Sequence, residues 1–323
     1  MLKGRDIVCI SSIDWDANWQ GNQELMSIYA RNGNSILYIE NTGLRAPRLL
    51  RYDAQRVAHR LKHLFQRGLK GLRREGENIT IYTPLFFPWA RGGMGRRINR
   101  LLWRKGLEEA KGTLRQDPIL ITWLPTPAAL DLISALEGKG SVVVYYNLID
   151  FHELSGGDEV IQRSERELLE RADLVFAWTD KLCCYFRGFT RNVYRTYPSV
   201  NLNLFNPEAK FRRPPDLEGL EGPILGYTGA LHKHLDVELL SRIAKARPRW
   251  QLVLVGPVAT DVDPLRRHSN VHLIDNQPHE RIPSFLAAFD ICLIPYRVWR
   301  LTETVDPIKL KEYLAMGKPV VST

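Results

Sequence analysis

Short apolar runs alternate along this chain with segments of helical periodicity. The runs show little polar alternation, which is typical of strands buried on both faces of a parallel sheet with crossover helices. They predict strands at 6–10, 35–40, 79–83, 119–123, 142–147, 173–178, 224–229, 250–256, 271–274, 290–295 and 319–322. Helical periodicity predicts helices at 23–32, 162–171, 235–246, 280–289 and 307–316.

A stretch without periodicity separates two sets of predicted strands. Residues 197–223 contain five prolines, as expected of an interdomain connection. We therefore predict an N-terminal domain over 1–199, a linker over 200–222 and a C-terminal domain over 223–323. Each is expected to be a Rossmann-like, doubly wound α/β domain. Two such domains facing each other would form a cleft at the carboxyl ends of their strands, where ligands bind.

Composition is that of a soluble globular protein, with 44% hydrophobic and 25% charged residues among 323. No apolar run has the length of a membrane span, and the N-terminus predicts a strand rather than a signal peptide. The four cysteines lack metal-ligand spacing and predict reduced core thiols in a cytoplasmic protein; they are Cys9, Cys183, Cys184 and Cys292.

The net charge of +9 is concentrated in one segment. Residues 45–115 contain 18 Lys or Arg against 5 Asp or Glu, a balance of +13, whereas the rest has 27 against 31. Within this segment, 57–74 and 94–110 have the pattern of basic amphipathic helices. Such helices suit an anionic membrane surface, and ordinary core-facing helices with a solvated basic back are the alternative. Nucleic acid is disfavoured because no nucleic-acid-binding motif accompanies the charge.

The loop after the predicted strand 224–229 contains the first candidate binding residues. Gly229 would let the backbone approach a ligand, and Lys233 lies within reach of an anion there. A purely structural turn is an equal alternative. The dinucleotide fingerprint G-x-G-x-x-G is absent from this loop.

The closing stretch DPIKLKEYLAMGKPVVST contains the second set of candidates. Asp306 is a suitable N-cap and Pro307 a suitable first helical residue, so the next three backbone amides and Lys309 would form an anion site. The Glu312 carboxylate could accept two hydroxyl hydrogen bonds, as a ribose would require. The alternative is an ion pair with Lys309 or Lys311 in solvent.

Candidate residues of the N-terminal half follow predicted strands. Asp150 and His152 come after strand 142–147, where a carboxylate or an imidazole would face the predicted cleft and could act in proton transfer or charge stabilisation. Loop capping by Asp150 is the alternative. Trp15 and Trp19 follow the first strand and could stack on sugar rings or pack the loop onto the domain.

Two pairs of carboxylates occur at short spacing, Asp14 with Asp16 and Asp261 with Asp263. A pair of carboxylates alone does not make a metal site. We therefore predict no metal site.

The second half of the chain resembles the nucleotide-binding half of a glycosyltransferase with the two-domain GT-B fold, of the retaining family 4 type. The segments that carry the resemblance are, in order, GYTGAL, WQLVLVGP, NVHLI, FDICLIPY and DPIKLKEYLAMGKPVVST. The N-terminal half agrees, since SSIDWDANWQGNQELMSIYARNGNSILYIEN resembles the opening strand, loop and helix of that family. YYNLIDFHEL and ERADLVFAWTDKL resemble a later strand, acidic loop and helix. The resemblance covers nearly the whole chain.

This resemblance implies a metal-independent hexosyltransferase that needs no cofactor beyond its co-substrate, a nucleotide-diphosphate sugar. The acceptor would be a saccharide or a lipid-linked saccharide in cell-surface polysaccharide or glycolipid synthesis. The donor would bind the C-terminal domain and the acceptor the N-terminal one. The location is predicted from the residues instead: the cysteines indicate a cytoplasmic protein, and the basic segment 45–115 suggests that it is peripheral on the inner face of the cell membrane.

The resemblance also implies roles for individual residues. Gly229 and Lys233 would bind the diphosphate, together with the backbone amides of Lys309 and Leu310. Asp150 and His152 occupy a region where family enzymes often have a His or an Asp near the reacting sugar.

Glu312 matches the second of two glutamates that the family carries eight positions apart, and it would hold the ribose hydroxyls. The first falls at Thr304, with Glu303 one position away, so the donor-sugar contact departs from the family pattern. Family members continue past the strand at 319–322, which suggests that the chain ending at Thr323 is truncated.

Two other classes of function are open to such a chain. One is a non-catalytic membrane- or partner-binding module built on a glycosyltransferase scaffold, which the threonine at 304 favours. The other is a Rossmann oxidoreductase or epimerase, disfavoured because neither half has G-x-G-x-x-G after its first strand. The sequence does not specify the donor base, the sugar, the acceptor, the linkage or the oligomeric state.

Overall fold

The structure is a computed structural model that describes residues 2–11, 13–16, 19–40, 71–84 and 93–323. The chain divides into two compact units, Met1–Thr196 and Tyr197–Thr323. The finer predicted boundaries, with a separate linker, stay a prediction.

The first unit is built on a sheet whose described strands follow the order β3-β4-β2-β1-β5-β6-β7-β8. They are β1 (Asp6–Ile10), β2 (Ser35–Ile39), β3 (Leu72–Glu75), β4 (Ile79–Tyr82), β5 (Ile119–Thr122), β6 (Val142–Asn147), β7 (Leu174–Ala177) and β8 (Val193–Arg195). Neighbouring strands pair in parallel, whereas β3 pairs with β4 antiparallel at the edge.

The described helices of this unit connect the parallel strands, as the crossover pattern requires. They are α1 (Gly21–Arg31), α2 (Gly93–Lys111), α3 (Pro127–Leu136), α4 (Phe151–Ser155), α5 (Glu159–Arg171) and α6 (Asp180–Phe186).

The second unit has a parallel sheet in the order β11-β10-β9-β12-β13. Its strands are β9 (Ile224–Thr228), β10 (Gln251–Val255), β11 (Val271–Ile274), β12 (Ile291–Ile294) and β13 (Val320–Ser322). Its α-helices are α7 (Val237–Ala246), α8 (Asp263–Arg266), α9 (Ile282–Ala288) and α10 (Ile308–Ala315), and short 3₁₀ turns occur at Pro215–Leu217, His279–Arg281 and Thr302–Thr304.

Alternate residues of each central strand enter different hydrophobic clusters. In β1, Val8 and Ile10 belong to one cluster, while Ile7 and Cys9 belong to another. The same division occurs in β9 of the second unit. Because successive side chains of a strand point to opposite faces, both faces of each sheet are covered. This confirms the predicted α/β class with parallel sheets.

Several sequence predictions need correction. The predicted helix over 57–74 lies outside the described residues as far as position 70. Its last residues were predicted wrongly, because Leu72–Glu75 forms the strand β3. The strand β8 was not predicted. Cys184 is exposed rather than part of a core, although all four cysteines are free thiols. No helix in the described parts of the chain is long and apolar enough to span a membrane.

Candidate functional site

In the second unit, the carboxyl ends of β9 and β10 meet through two glycines. The Gly229 N–H donates to the Val255 carbonyl oxygen at 2.8 Å, and Gly229 has a φ of 130°. Gly256 has a φ of 147°, and a Cβ placed there would lie 2.3 Å from the Gly229 carbonyl oxygen. Only glycine allows this approach. The backbone at the tips of both strands is therefore bare of side chains.

Lys309 of α10 lies against this glycine pair. A Cβ on Gly229 would lie 3.2 Å from the Lys309 Nζ. The Nζ donates to the Tyr296 hydroxyl at 2.7 Å and lies 5.1 Å from the centroid of the Tyr227 ring. Burial lowers the pKa of Lys309, but Tyr227, Tyr296 and Glu312 outweigh it, so the net pKa is raised. A fixed positive charge thus borders the bare backbone of the strand ends.

Helix α10 is held against β9 by a buried contact. The Tyr313 hydroxyl accepts a hydrogen bond from the Thr228 N–H at 2.9 Å and lies 3.2 Å from the Thr228 Oγ1. Tyr313 is fully buried, and Thr228 directly precedes Gly229. This contact fixes the position of α10 relative to the glycine loop.

The start of α10 differs from the prediction. Pro307 is the N-cap, with φ −75° and ψ 124°, and no side chain caps the helix. The predicted Asp306 cap is therefore wrong, because the extended ψ of Pro307 places the first helical residue at Ile308. The Leu310 N–H donates to the Pro307 carbonyl oxygen at 3.0 Å, so this amide is engaged within the first turn.

Glu312 lies one residue before Tyr313 and is partly buried. Burial raises the pKa of its carboxyl to about 7, and the nearby Lys309 opposes this rise. Among the described residues, the Glu312 carboxylate forms no hydrogen bond or ion pair with a protein group. The ion pair with Lys309 or Lys311 that we considered is therefore not formed, and the carboxylate remains available to a ligand.

The loops after β9 and β12 are joined to each other. The Arg297 N–H donates to the His234 carbonyl oxygen at 2.8 Å, and the Asp236 N–H donates to the Pro295 carbonyl oxygen at 2.8 Å. The exposed Lys233 places its Nζ 5.3 Å from the centroid of the Trp299 ring. The two loops form one continuous edge beside the glycine pair.

Sequence reasoning missed three side chains of this edge: His232, Tyr296 and Trp299. The pKa of His232 is lowered by burial and by the positive charges of Lys309 and Lys233, so its imidazole is held neutral. Tyr296 directly follows a predicted strand, and that position was the available signal.

Thr304 is fully buried at the end of a 3₁₀ turn. Its hydroxyl donates to the Leu301 carbonyl oxygen at 2.9 Å. The side chain is thus engaged within its own turn, and a contact of Thr304 with a donor stays a prediction.

In the first unit, Asp150 is the N-cap of α4, and its Oδ1 accepts a hydrogen bond from the Glu153 N–H at 3.1 Å. The capping alternative for Asp150 is thus observed. His152 is exposed on the same short helix, two residues away. Their catalytic roles stay a prediction.

The two tryptophans of the first loop are packed onto the first unit. The Trp15 ring is buried 4.9 Å from the Tyr38 ring centroid, and its backbone N–H donates to the Glu40 Oε2 at 2.7 Å. The Trp19 Nε1 donates to the Glu24 Oε2 at 2.7 Å. Both rings therefore pack the loop onto the first unit, which is the alternative considered for them. Their stacking on an acceptor sugar stays a prediction.

Within the ranges that the structure describes, no group of three or more His, Cys, Asp or Glu side chains is arranged to hold a metal ion.

Part of the second unit matches a known family model. Residues 222–323 match the family model described as "Glycosyl transferases group 1", and this range contains Gly229, Lys309 and Glu312. The chain is 30% identical over 173 residues to a protein of Bacillus subtilis (strain 168) that is named as a teichuronic acid biosynthesis glycosyltransferase, TuaH. That match covers 51% of this chain and 44% of the relative, so the chain spans less than half of the relative's length.

Solved structures match over nearly the whole chain. A sucrose-phosphate synthase from Thermosynechococcus elongatus has a TM-score of 0.66 and 16% identity, with 98% of this chain and 81% of the synthase covered. An α,α-trehalose 6-phosphate synthase from Burkholderia multivorans has a TM-score of 0.59 and 13% identity, with 99% and 83% covered. The HepE protein of Anabaena, in complex with UDP and glucose, has a TM-score of 0.58 and 17% identity, with 98% and 80% covered. These matches confirm the predicted GT-B fold.

Proposed function

We propose that this protein is a glycosyltransferase that moves a sugar from a nucleotide-diphosphate sugar to a saccharide or lipid-linked acceptor in cell-surface polysaccharide or glycolipid synthesis. The observation that carries the proposal is the arrangement of Gly229, Lys309 and Glu312 at the strand ends of the second unit. A bare backbone, a fixed cation and an uncommitted carboxylate meet there, inside the segment that matches the family model.

Each part of this arrangement suits one part of the donor. The bare backbone at Gly229 admits a diphosphate at close range, and Lys309 supplies the opposite charge, with Lys233 at the loop edge. Glu312 would accept the hydrogen bonds of the ribose hydroxyls. The Lys309 amide at the start of α10 completes the proposed donor site. The predicted contacts of the Leu310 amide and of Thr304 would require each group to share or leave the hydrogen bond that it forms within its own turn.

The chemistry follows from where charge develops. The bond from the sugar carbon to the diphosphate oxygen breaks, and a bond from that carbon to the acceptor hydroxyl oxygen forms as the hydroxyl releases its proton. Negative charge builds up on the departing diphosphate. A cation that is already fixed at this position stabilises that charge without reorganising. The protein itself thus supplies the electrostatic stabilisation, in a metal-independent enzyme.

The first unit would supply the acceptor side. His152 is exposed and could orient the acceptor hydroxyl, while Asp150 holds the start of the helix that carries it. Trp19 is partly buried, and it is a better stacking surface for an acceptor sugar than the buried Trp15.

Titration with nucleoside diphosphates tests the donor site. A diphosphate that binds the native state raises the melting temperature, and isothermal titration gives its affinity. Glu312→Ala should weaken that affinity strongly and leave the fold intact. Unchanged affinity in this variant would contradict the assignment of Glu312. A donor-hydrolysis assay then separates an enzyme from a non-catalytic module, which would bind the donor without cleaving it.

A membrane location is proposed from helix α2. Its inward face buries Trp103, Leu107 and Ala110. Its outward face has four large apolar side chains that are 40–80% exposed, at positions spaced along one side of the helix: Met94, Ile98, Leu101 and Leu102. This exposed apolar stripe lies on the side of the helix away from its buried residues, and such stripes mark interaction surfaces.

The charge around this stripe favours an anionic lipid surface as the partner. Residues 93–105 contain five Lys or Arg and no Asp or Glu. Arg96 binds Asp131 of α3 through Nε at 3.0 Å and Nη2 at 2.6 Å, and Arg100 lies 3.2 Å from the same carboxylate. These two arginines anchor the helix. Arg97, Lys105 and Arg104, which also pairs with Glu108 at 3.4 Å, lie beside the apolar stripe.

Sedimentation with vesicles tests the membrane proposal. The protein should sediment with vesicles containing anionic lipid at low salt and remain in solution with neutral vesicles. Replacing Leu101 and Leu102 with Gln should reduce sedimentation. Val160→Gln, at an exposed apolar position of α5, is the matched control and should have no effect. Absence of binding at low salt would refute a peripheral location on the inner, cytoplasmic face of the membrane.

A further inference from the structure

A buried chain of hydrogen bonds connects α5 with the loop that leads to Asp150. Glu165 of α5 is only 4% exposed, and its Oε1 accepts a hydrogen bond from the Tyr145 hydroxyl at 2.6 Å. The Asn147 Nδ2 donates to the same hydroxyl at 2.6 Å and, more weakly, to the Glu165 Oε1 itself at 3.4 Å. The Asn147 Oδ1 accepts from the Ile149 N–H at 3.0 Å. The chain therefore ends one residue before Asp150.

The ionisation of Glu165 determines which group donates and which accepts in each of these hydrogen bonds. An ionised carboxylate can only accept hydrogen bonds, so the Tyr145 hydroxyl must donate to Glu165. The hydroxyl then accepts from Asn147, which turns the amide oxygen of Asn147 toward the Ile149 N–H. When Glu165 is protonated, it can instead donate a hydrogen bond to the Tyr145 hydroxyl, and that hydroxyl can then donate to the Asn147 amide oxygen. In this second arrangement the Asn147 NH₂ group faces the Ile149 N–H, so that N–H loses its acceptor.

A carboxylate is a costly residue at such a position. Burial raises the pKa of Glu165 to about 7, although the hydrogen bond from Tyr145 opposes the rise. Hydrophobic residues of similar volume are often at least as stable as buried charges. The carboxylate is thus poorly explained by stability alone, which favours a role in ordering the loop.

Besides burial, two groups act directly on the pKa of Glu165: Tyr145 of β6 lowers it through its hydrogen bond, and Asp150, the cap of α4, raises it. Burial and then Glu165 in turn raise the pKa of Tyr185 in α6, which the neighbouring Arg166 lowers. Asp150 raises the pKa of Glu165 through like charge. The charge of Glu165 is therefore coupled to the residue whose loop it orders.

We propose that Glu165 is a positioning residue, which acts through Tyr145 and Asn147 to hold the Ile149–Asp150 loop in a single conformation for sugar transfer. This inference rests on the proposed function of the protein. Glu165 lies beneath the loop and is not itself a catalytic residue.

Kinetics of two Glu165 variants test the proposal. The kcat of the wild type should rise as the pH increases through about 7, because ionised Glu165 excludes the second hydrogen-bond order. Glu165→Gln fits the same space but allows both orders at every pH. Its kcat should not change as the pH rises through about 7. It should equal the kcat of the wild type at low pH, which is about twofold to fivefold below the maximum kcat of the wild type.

Glu165→Leu removes the acceptor altogether and should lower kcat further, while the affinity for a nucleoside diphosphate stays unchanged. A core residue with no positioning role would give Glu165→Gln the same pH profile as the wild type. That outcome would overturn the proposal.

A second measurement does not depend on transfer activity. In the wild type, the NMR signals of the Asn147 side-chain amide and the Ile149 N–H should titrate with a midpoint near 7. In Glu165→Gln this transition should vanish. If these signals titrate but no donor is ever cleaved, the proposed function fails while the hydrogen-bonded chain stands. If they do not titrate, the chain does not transmit the charge of Glu165 and the inference is wrong.

Discussion

The Tyr313 hydroxyl accepts a hydrogen bond from the Thr228 backbone N–H at 2.9 Å, across 85 residues of sequence. Thr228 is the last residue of β9, and Tyr313 belongs to the helix that also carries Lys309 and Glu312. A single buried contact therefore sets the distance between the glycine loop and the two charged side chains of the proposed donor site.

Tyr313→Phe should destabilise the protein by about 1–3 kcal/mol, because it leaves the buried Thr228 N–H without this acceptor. It should also weaken binding of nucleoside diphosphates, since α10 loses its fixed position. Urea unfolding and isothermal titration measure the two effects. Tyr194→Phe, at a half-exposed tyrosine, is the control and should change stability by less than about 0.5 kcal/mol. Equal effects of the two substitutions would contradict the role of this contact.

Lys309→Met should reduce the affinity for a nucleoside diphosphate about tenfold to hundredfold, the magnitude expected for losing a charge-assisted contact. Methionine preserves most of the packing against Tyr227 and Tyr296. Lys311→Met, two residues along the same helix, removes the same charge away from the glycine loop and should change affinity little. If both variants lose affinity equally, general charge rather than the Lys309 position determines binding.

Much of the fold was predictable from the sequence because its strands are buried on both faces. A run such as DIVCI in β1 has only apolar side chains after its first residue, and each lies in a core. The strand β3 was not predictable in this way. Its sequence LRRE has no apolar pattern, and it exists because it pairs with β4 at the sheet edge.

The candidate site was only partly predictable. Lys309 and Glu312 share a helix, and the sequence singled them out by their place in a predicted helix with an anion-binding start; the resemblance added the match of Glu312 to a family glutamate. The contacts of Lys309 with Tyr296 and of Gly256 with Gly229 join loops that are distant in the sequence, so no local pattern reveals them. The prediction that Asp306 caps the helix was wrong for a local reason: Pro307 adopts an extended ψ, which moves the helix start by one residue.

The affinity for a nucleoside diphosphate should rise with pH through about 7, because burial raises the pKa of Glu312 to that value and only the carboxylate form accepts two ribose hydroxyl hydrogen bonds. Glu312→Gln should bind more weakly and keep only the part of the pH dependence that ionisation of the ligand's terminal phosphate contributes. Isothermal titration between pH 6 and pH 8 measures it. A ligand without the ribose, inorganic pyrophosphate, is the control and should not share the Glu312 dependence. An unchanged pH profile in the variant would show that another group titrates.

Gly226→Ala should destabilise the second unit by about 1–3 kcal/mol, with a larger loss if the strand shifts. A Cβ at this buried β9 position would lie 1.9 Å from the Phe289 ring. Gly93→Ala is the control, since a Cβ there meets no atom within 4 Å and the residue begins a helix. Urea midpoints compare the variants. A neutral Gly226→Ala would mean that Phe289 moves aside without cost.

The stability of the protein should depend on pH through Glu165. Its carboxyl pKa is raised from 4.5 to about 7 by burial, so folding favours the protonated form. This contribution is fully present below about 4.5 and is lost as the pH rises to about 7. Glu165→Gln keeps a neutral side chain at every pH and should therefore be more stable than the wild type at pH 8, by about 1–3 kcal/mol, with the difference shrinking toward pH 4.5. Urea unfolding at several pH values measures the difference. Glu170→Gln, on the exposed side of the same helix, is the control and should track the wild type. A constant difference between Glu165→Gln and the wild type across this range would show that Glu165 does not titrate within it.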